Sequence, residues 1–212
     1  MITLALDTCL GACSVAVIDG ERVLASMSEP MTRGHQERLA PMAREAMTAA
    51  GLAFNDLDRI GATIGPGSFT GLRIGLAFAK GLALALDRPC IGVGSLAALA
   101  ASADERGAMV AVIDAGRGNV YLQQFDDGRA ASGPDVKALE VAAARMLKAH
   151  NLGEVTLVGP TASLLTSISG VARRIVLVSP DPATVAALAA RAPITPPRPL
   201  YLRPPDAKPK AT

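Results

Sequence analysis

The sequence has no tryptophan, and its four phenylalanines and two tyrosines make aromatics only 3 % of 212 residues. Surfaces that stack nucleic-acid bases need exposed aromatic rings, which argues against a stand-alone single-strand binder. Charge is equally thin. The formal net charge is +2, and the basic residues are scattered along the chain, unlike the clustered footprint of a nucleic-acid protein. Histidine occurs twice, at His35 and His150, and Leu39 stands where the second member of an HxxxH pair would fall. With no cysteine or carboxylate cluster to add, no metal ligand set is expected. Cys9, Cys13 and Cys90 are odd in number and lack CxxC spacing, which predicts reduced thiols in a cytoplasmic protein. The longest apolar run, 72–86, carries Arg73 and Lys80 and is too short for a membrane span. Met1 leads straight into strand-like sequence, so no secretory leader is expected.

What the sequence does have is hydrophobic residues, 50 % of the chain and rich in alanine. They gather most densely after Gly65-Pro66-Gly67-Ser68-Phe69-Thr70-Gly71-Leu72-Arg73. Residues 59–64 predict a short buried strand before this turn, and an apolar helix runs on to Leu86. Ligands of open α/β folds sit at such strand-to-helix turns. Ser68 or Thr70 suits the N-cap, and a helix N-terminus favours anions. Gly65, Gly67, Ser68, Thr70 and Arg73 are therefore candidate anion or nucleotide contacts. The spacing departs from a P-loop by one residue and lacks its lysine. A turn that merely starts a tightly packed helix fits as well. The helix itself has two apolar sides. Leu72, Leu76 and Leu86 form one, and Ile74, Phe78 and Leu82 the other. That arc is wider than one core requires, so the second side needs a further cover, from this fold or from a partner. Gly71 and Gly75, one turn apart, permit close backbone approach.

Before the turn, residues 2–8, 12–18 and 22–26 predict an antiparallel three-strand meander, with Asp19-Gly20 as a hairpin signal. Residues 35–50 predict a helix with Leu39, Met42, Ala43, Ala46 and Met47 in one stripe, closed by Gly51 and carrying Pro41 in its first turns or at a kink. A strand at 89–93 and a helix at 95–105 follow the central helix. The pattern then restarts, with strands at 109–114 and 119–125. Asp7, Gly11 and Asp19 recur as Asp114, Gly118 and Asp126, all at an offset of 107, which suggests a duplicated domain. A helix over 136–149, strands over 154–158 and 174–178, and a helix over 182–191 complete the second half. Proline is dense from 193 to 212, which predicts an extended arm. Asp7 and Asp114 each end the first strand of a half. Such a carboxylate can orient a water or Mg²⁺ near a phosphate, or close the adjacent turn with its own backbone. No G-x-S-x-G elbow is present. Gly92-Val93-Gly94-Ser95-Leu96-Ala97 is read as a helix-entry turn, since no ribose-binding acid follows where a dinucleotide site needs one.

Residues 64–75, from Ile64-Gly65-Pro66-Gly67 to Leu72-Arg73-Ile74-Gly75, resemble the signature of the bacterial TsaB (YeaZ) family. Ala5-Leu6-Asp7-Thr8, His35-Gln36-Glu37-Arg38-Leu39, Ile113-Asp114-Ala115-Gly116-Arg117-Gly118 and Tyr201-Leu202-Arg203-Pro204 fit the same pattern. Gly116 stands where that family usually has Arg. The resemblance implies the actin/Hsp70/sugar-kinase (ASKHA) α/β fold, two ribonuclease-H-like halves each opening with an antiparallel meander. The implied division is 1–106 with the pairing helices, 107–192 as a smaller second half, and an arm at 193–212. The implied role is non-catalytic, a scaffold subunit in threonylcarbamoylation of the tRNA adenosine beside the anticodon. A TsaD-like catalytic subunit and a TsaE-like ATPase are the implied partners, with a homodimer when alone. Contact with tRNA is implied only through the complex, and ATP, ADP and metal on the partners. The pairing surface implied is Leu39, Met42 and Met47 with Ile74, Phe78 and Leu82. Two rivals stand beside it. One is a nucleotide-dependent kinase or transferase using Asp7, Asp114 and the Gly65 turn, and the other is an M22-type metallopeptidase-like protein.

Overall fold

Strand β1 (Ile2–Asp7) is buried along nearly its whole length, as a strand covered on both faces must be. Leu4 and Leu6 point to one side, and Ala5 to the other, following the two-residue period of a strand. The computed structural model describes residues 1–139, 141–142, 155–164 and 171–203. β1 lies at the centre of a five-stranded sheet ordered β3-β2-β1-β4-β5, with β2 (Ala12–Asp19), β3 (Arg22–Pro30), β4 (Arg59–Thr63) and β5 (Cys90–Val93). β1, β2 and β3 are antiparallel neighbours, while β1, β4 and β5 run parallel.

The second sheet repeats this plan. β6 (Ala108–Gly116) is central and pairs antiparallel with β7 (Asn119–Asp126), which pairs with β8 (Arg129–Ala130). On its other side β6 pairs parallel with β10 (Val155–Val158), and β10 with β11 (Val171–Ile175). The order β11-β10-β6-β7-β8 is the first sheet's order over again. The offset of 107 thus marks two copies of one topology.

Two expectations need correction here. Residues 136–138, expected to open a helix, lie in strand β9 (Asp135–Ala138) along β7, with Val136 opposite Tyr121. β8 is only two residues long, so β7 keeps a free edge that β-branched Val136 suits. Helical residues begin at 139, and the expected helix at 140 and 143–149 lies outside the described residues. The strand expected at 174–178 ends at Ile175, where pairing with Val158 stops because β10 is only four residues long.

The helices do not divide with the sheets. α1 (His35–Ala49) and α2 (Phe69–Leu86) cover one face of the first sheet. α3 (Ser95–Ser102) follows β5 in sequence but packs Leu96, Leu99 and Ala100 on Met109, Ala111, Ile113 and Phe125 of the second sheet. α4 (Pro182–Arg191) returns to the first sheet, with Val185, Ala186 and Ala189 against Ala5, Ala16, Ile18 and Ile91. The small residues set the approach: a Cβ on Gly61 would lie 2.5 Å from that of Ala189. Arg59 then donates to the carbonyls of Ala189, Ala190 and Ala192, a cation at the negative end of α4.

Candidate functional site

Ser68 caps α2, its Oγ accepting the Gly71 N–H at 3.2 Å. Gly65 adopts φ +93°, which favours glycine. The neighbouring donors of the turn are spent on the chain itself. Ser68 N–H donates to the Cys9 carbonyl at 2.7 Å, and Leu72 N–H to that of Ser68. The other three glycines meet the residues after β1: a Cβ would lie 2.4 Å from the Cys9 carbonyl oxygen at Gly67, 1.9 Å from the Thr8 carbonyl oxygen at Gly71 and 2.5 Å from Thr8 Oγ1 at Gly75. Thr8 Oγ1 donates to the Gly71 carbonyl at 2.7 Å. These contacts press the first turns of α2 onto the end of β1, which accounts for glycine at each position.

The two aspartates do the same thing in each half. Asp7 Oδ1 accepts from Cys9 N–H at 3.0 Å, and Asp114 Oδ1 from Gly116 N–H at 2.7 Å. Asp7 is fully buried, and Thr63 Oγ1 also donates to its Oδ1. Burial raises its pKa, against the hydrogen bonds from Thr63 and Cys9. Burial likewise pushes the Cys13 and Cys90 thiols up to about 11. Asp114, by contrast, is exposed. Gly11, beside Asp7, is covered from the second half: its N–H donates to the Val178 carbonyl. Among the described residues no three His, Cys, Asp or Glu side chains gather as a metal-binding group.

The helix faces required a larger correction. Leu39, Met42 and Met47 were expected at a partner surface, but are 1 %, 0 % and 2 % exposed and belong to the first core. A surface helix has one apolar stripe to give to its core, and α1 gives this one, leaving Gln36, Glu37, Arg44 and Glu45 outward. α2 differs. Leu72, Leu76 and Ala79 are buried, Ile74, Phe78 and Leu82 are only half-buried, and Ala77, Gly81 and Leu84 lie exposed beside them. The helix begins at Phe69, and its eighteen residues are long and apolar enough to cross a membrane by length and composition. It carries two cations and presses Gly71 and Gly75 onto Thr8, so it is read as a core helix with an apolar outer flank. Sequence reasoning missed the cluster at its start. Arg73 Cζ sits 3.6 Å from the Phe69 ring centroid, Arg73 Nε donates to Tyr201 Oη at 3.2 Å, and the two rings are 5.4 Å apart. No local pattern links residues 128 positions apart.

Two lobes of repeated 3-2-1-4-5 order are the fold of the actin/Hsp70/sugar-kinase class. A Thermus thermophilus ROK hexokinase shares it at a TM-score of 0.51 and 16 % identity over 90 % of this chain and 97 % of that one. Within that class the similarity narrows sharply. YeaZ from Pseudomonas aeruginosa superposes at a TM-score of 0.79 with 32 % identity, over 89 % of this chain and 90 % of that one. The Escherichia coli tRNA threonylcarbamoyladenosine biosynthesis protein TsaB is 41 % identical over 128 residues, and the Bacillus subtilis one 35 % over 131. The family model described as TsaD, tRNA N6-adenosine threonylcarbamoyltransferase, matches residues 23–177. The chain belongs to the TsaB (YeaZ) family. The two curated alignments take in 59 % and 60 % of this chain and 55 % and 57 % of the relatives' own length.

Proposed function

We propose that this chain is the TsaB-type subunit of tRNA threonylcarbamoyladenosine biosynthesis, a non-catalytic partner of a TsaD-like subunit in the cytoplasm. The observation that carries this reading is the outer flank of α2. Ile74, Phe78 and Leu82 stay half-buried next to exposed Ala77 and Gly81, and nothing lies within 4 Å of a Cβ built on Gly81. Small residues allow a second helix to come close, and the larger ones give it apolar area to cover. A standard interface buries about 1,600 Å². The same flank would pair two copies when the catalytic subunit is absent. The turn-closing roles of Asp7 and Asp114 support the non-catalytic assignment. ATP, ADP and metal are assigned to the partners, including a TsaE-like ATPase, and tRNA is reached through the assembled complex.

The test is pairing. Gly81→Arg and Ala77→Glu should abolish capture of a TsaD-like subunit, leave the melting temperature of the isolated chain unchanged, and stop tRNA modification in a reconstituted system. Capture at wild-type strength by both variants would overturn the assignment.

A further inference from the structure

Four of the six aromatic rings, Phe54, Phe78, Tyr121 and Phe125, are half-buried or buried. The other two, Phe69 and Tyr201, are 49 % and 48 % exposed and touch each other. Arg73 lies over the Phe69 ring, and only its Nε is spent, on Tyr201 Oη. Among the described residues no carboxylate pairs with it. Holding the arm does not explain the exposed rings. Leu200 N–H is bonded to Ile64 on one side of Tyr201, and Arg203 to Ala115 on the other, so the arm is fixed while half of each ring stays in water. The surroundings are cationic. Arg203 is within about 7 Å of Tyr201 along the arm, and Ala115, which it holds, precedes the turn that carries exposed Arg117. Exposed Asp114 opposes them, with its Oδ1 taken by Gly116 N–H. The cluster also lies off the pairing flank. Phe69 and Arg73 are about 100–180° round α2 from Ile74, Phe78 and Leu82, at 3.6 residues per turn.

We propose that this cluster binds single-stranded RNA, with a base stacked on the exposed ring surface and an adjoining phosphate on Arg73. Unstacked bases are held on aromatic rings and guanidinium planes. The fork of a guanidinium matches phosphate oxygens, and the two terminal amino groups of Arg73 make no hydrogen bond among the described residues. A duplex hides its base faces, so the rings select a single strand. Two rings are few for a binder that acts alone, and they suit a patch that extends a groove on another subunit. The choice of RNA over other polyanions rests on the tRNA-modifying complex proposed above. The position of the cluster, off the pairing flank, leaves it open when that flank is covered.

The test is fluorescence anisotropy of a labelled hepta-uridylate titrated with the isolated full chain at low salt, which needs no partner subunit. Saturable binding is expected, with a dissociation constant on the order of 100 μM. Arg73→Gln should weaken it and flatten the slope of log affinity against log salt by about 0.7, the loss of one phosphate contact on a single strand. Phe69→Leu should weaken it about fivefold and leave the slope unchanged. Both residues are exposed, so neither change threatens the fold. An RNA duplex and hexaglutamate should each compete more weakly than the unlabelled single strand. Absence of saturable binding, or an unchanged slope in Arg73→Gln, would overturn the site. Competition by the duplex as strong as by the single strand would remove the stacking role, and equal competition by hexaglutamate would give the cluster to an acidic protein instead; either result overturns the proposal. Pairing of the Gly81→Arg variant is a separate measurement, so failure of the pairing reading and failure of this one are told apart.

Discussion

Asp7 is a carboxylate with no exposure to solvent. Its Oδ1 takes two hydrogen bonds, and its Oδ2 is buried with no partner. Burial raises its pKa above the ordinary carboxylate range, so the folded chain holds this proton more tightly than the unfolded chain does. By linkage the stabilising contribution is full below the unfolded pKa, and is lost as pH rises through the folded one. Asp7→Asn keeps an oxygen for Cys9 and Thr63 but cannot ionise. The variant should therefore gain stability relative to wild type as pH rises above about 4, the ordinary aspartate value, read from urea midpoints at each pH. A difference that stays flat with pH would mean that Asp7 titrates normally in the fold. Gly71 makes the simpler prediction at this scale. A methyl there meets the Thr8 carbonyl oxygen at 1.9 Å, backbone against backbone, so Gly71→Ala should cost about 1–3 kcal/mol in the same assay.

At the scale of elements, α1 and α2 show what the sequence can and cannot disclose. The stripe Leu39, Met42, Ala46 and Met47 was legible as apolar and helical, and α1 runs where it was expected. Its destination was not legible, because a periodic pattern says that a face is covered and not by what. Packing decided it: both Leu39 and Met42 lie in the core beside Val15 and Val17 of β2. Leu39→Glu should therefore unfold the chain, by more than about 3 kcal/mol, and appear as insolubility or a collapsed thermal transition. A stable, monomeric Leu39→Glu protein would restore that stripe to the surface. The glycine turn was legible for the opposite reason. A Ser N-cap, a proline and closely spaced glycines are local chemistry, and Ser68 does cap α2. What could not be read was the long-range consumption of its donors, since Cys9 lies far away in sequence and meets Ser68 only in the folded state. The Phe69–Arg73–Tyr201 cluster was hidden by the same separation.

At the scale of the whole molecule, the duplication read from three residues at a fixed offset is a duplication of sheets and not of independent units. The expected break at 106/107 falls between α3 and β6, yet each sheet is finished by a helix from the other half of the chain. α4 covers Ala5, Ala16, Ile18, Ile91 and Val93, and α3 covers Met109, Ala111 and Ile113. The arm past α4 adds a further tie. Leu200 N–H donates to the Ile64 carbonyl at 2.8 Å, and Arg203 donates to the Ala115 carbonyl of the second sheet. A fragment ending at residue 106 therefore keeps five strands but loses α4 from one face of them, leaving apolar surface and the Arg59 guanidinium without their partners. Uncovered apolar area of that kind drives aggregation. The fragment should precipitate or bind a hydrophobic dye, whereas the full chain should melt in one cooperative transition by both circular dichroism and calorimetry. Two separated transitions, or a soluble fragment of 1–106 with native-like dispersion, would show that the crossed helices are ornament and that each half folds for itself. Mixing the fragment with a peptide spanning 180–203 makes the same point in reverse. If α4 is the missing cover, the peptide should restore solubility, and a peptide carrying Ala189→Trp, too large for a position whose methyl would already lie 2.5 Å from a Cβ on Gly61, should not.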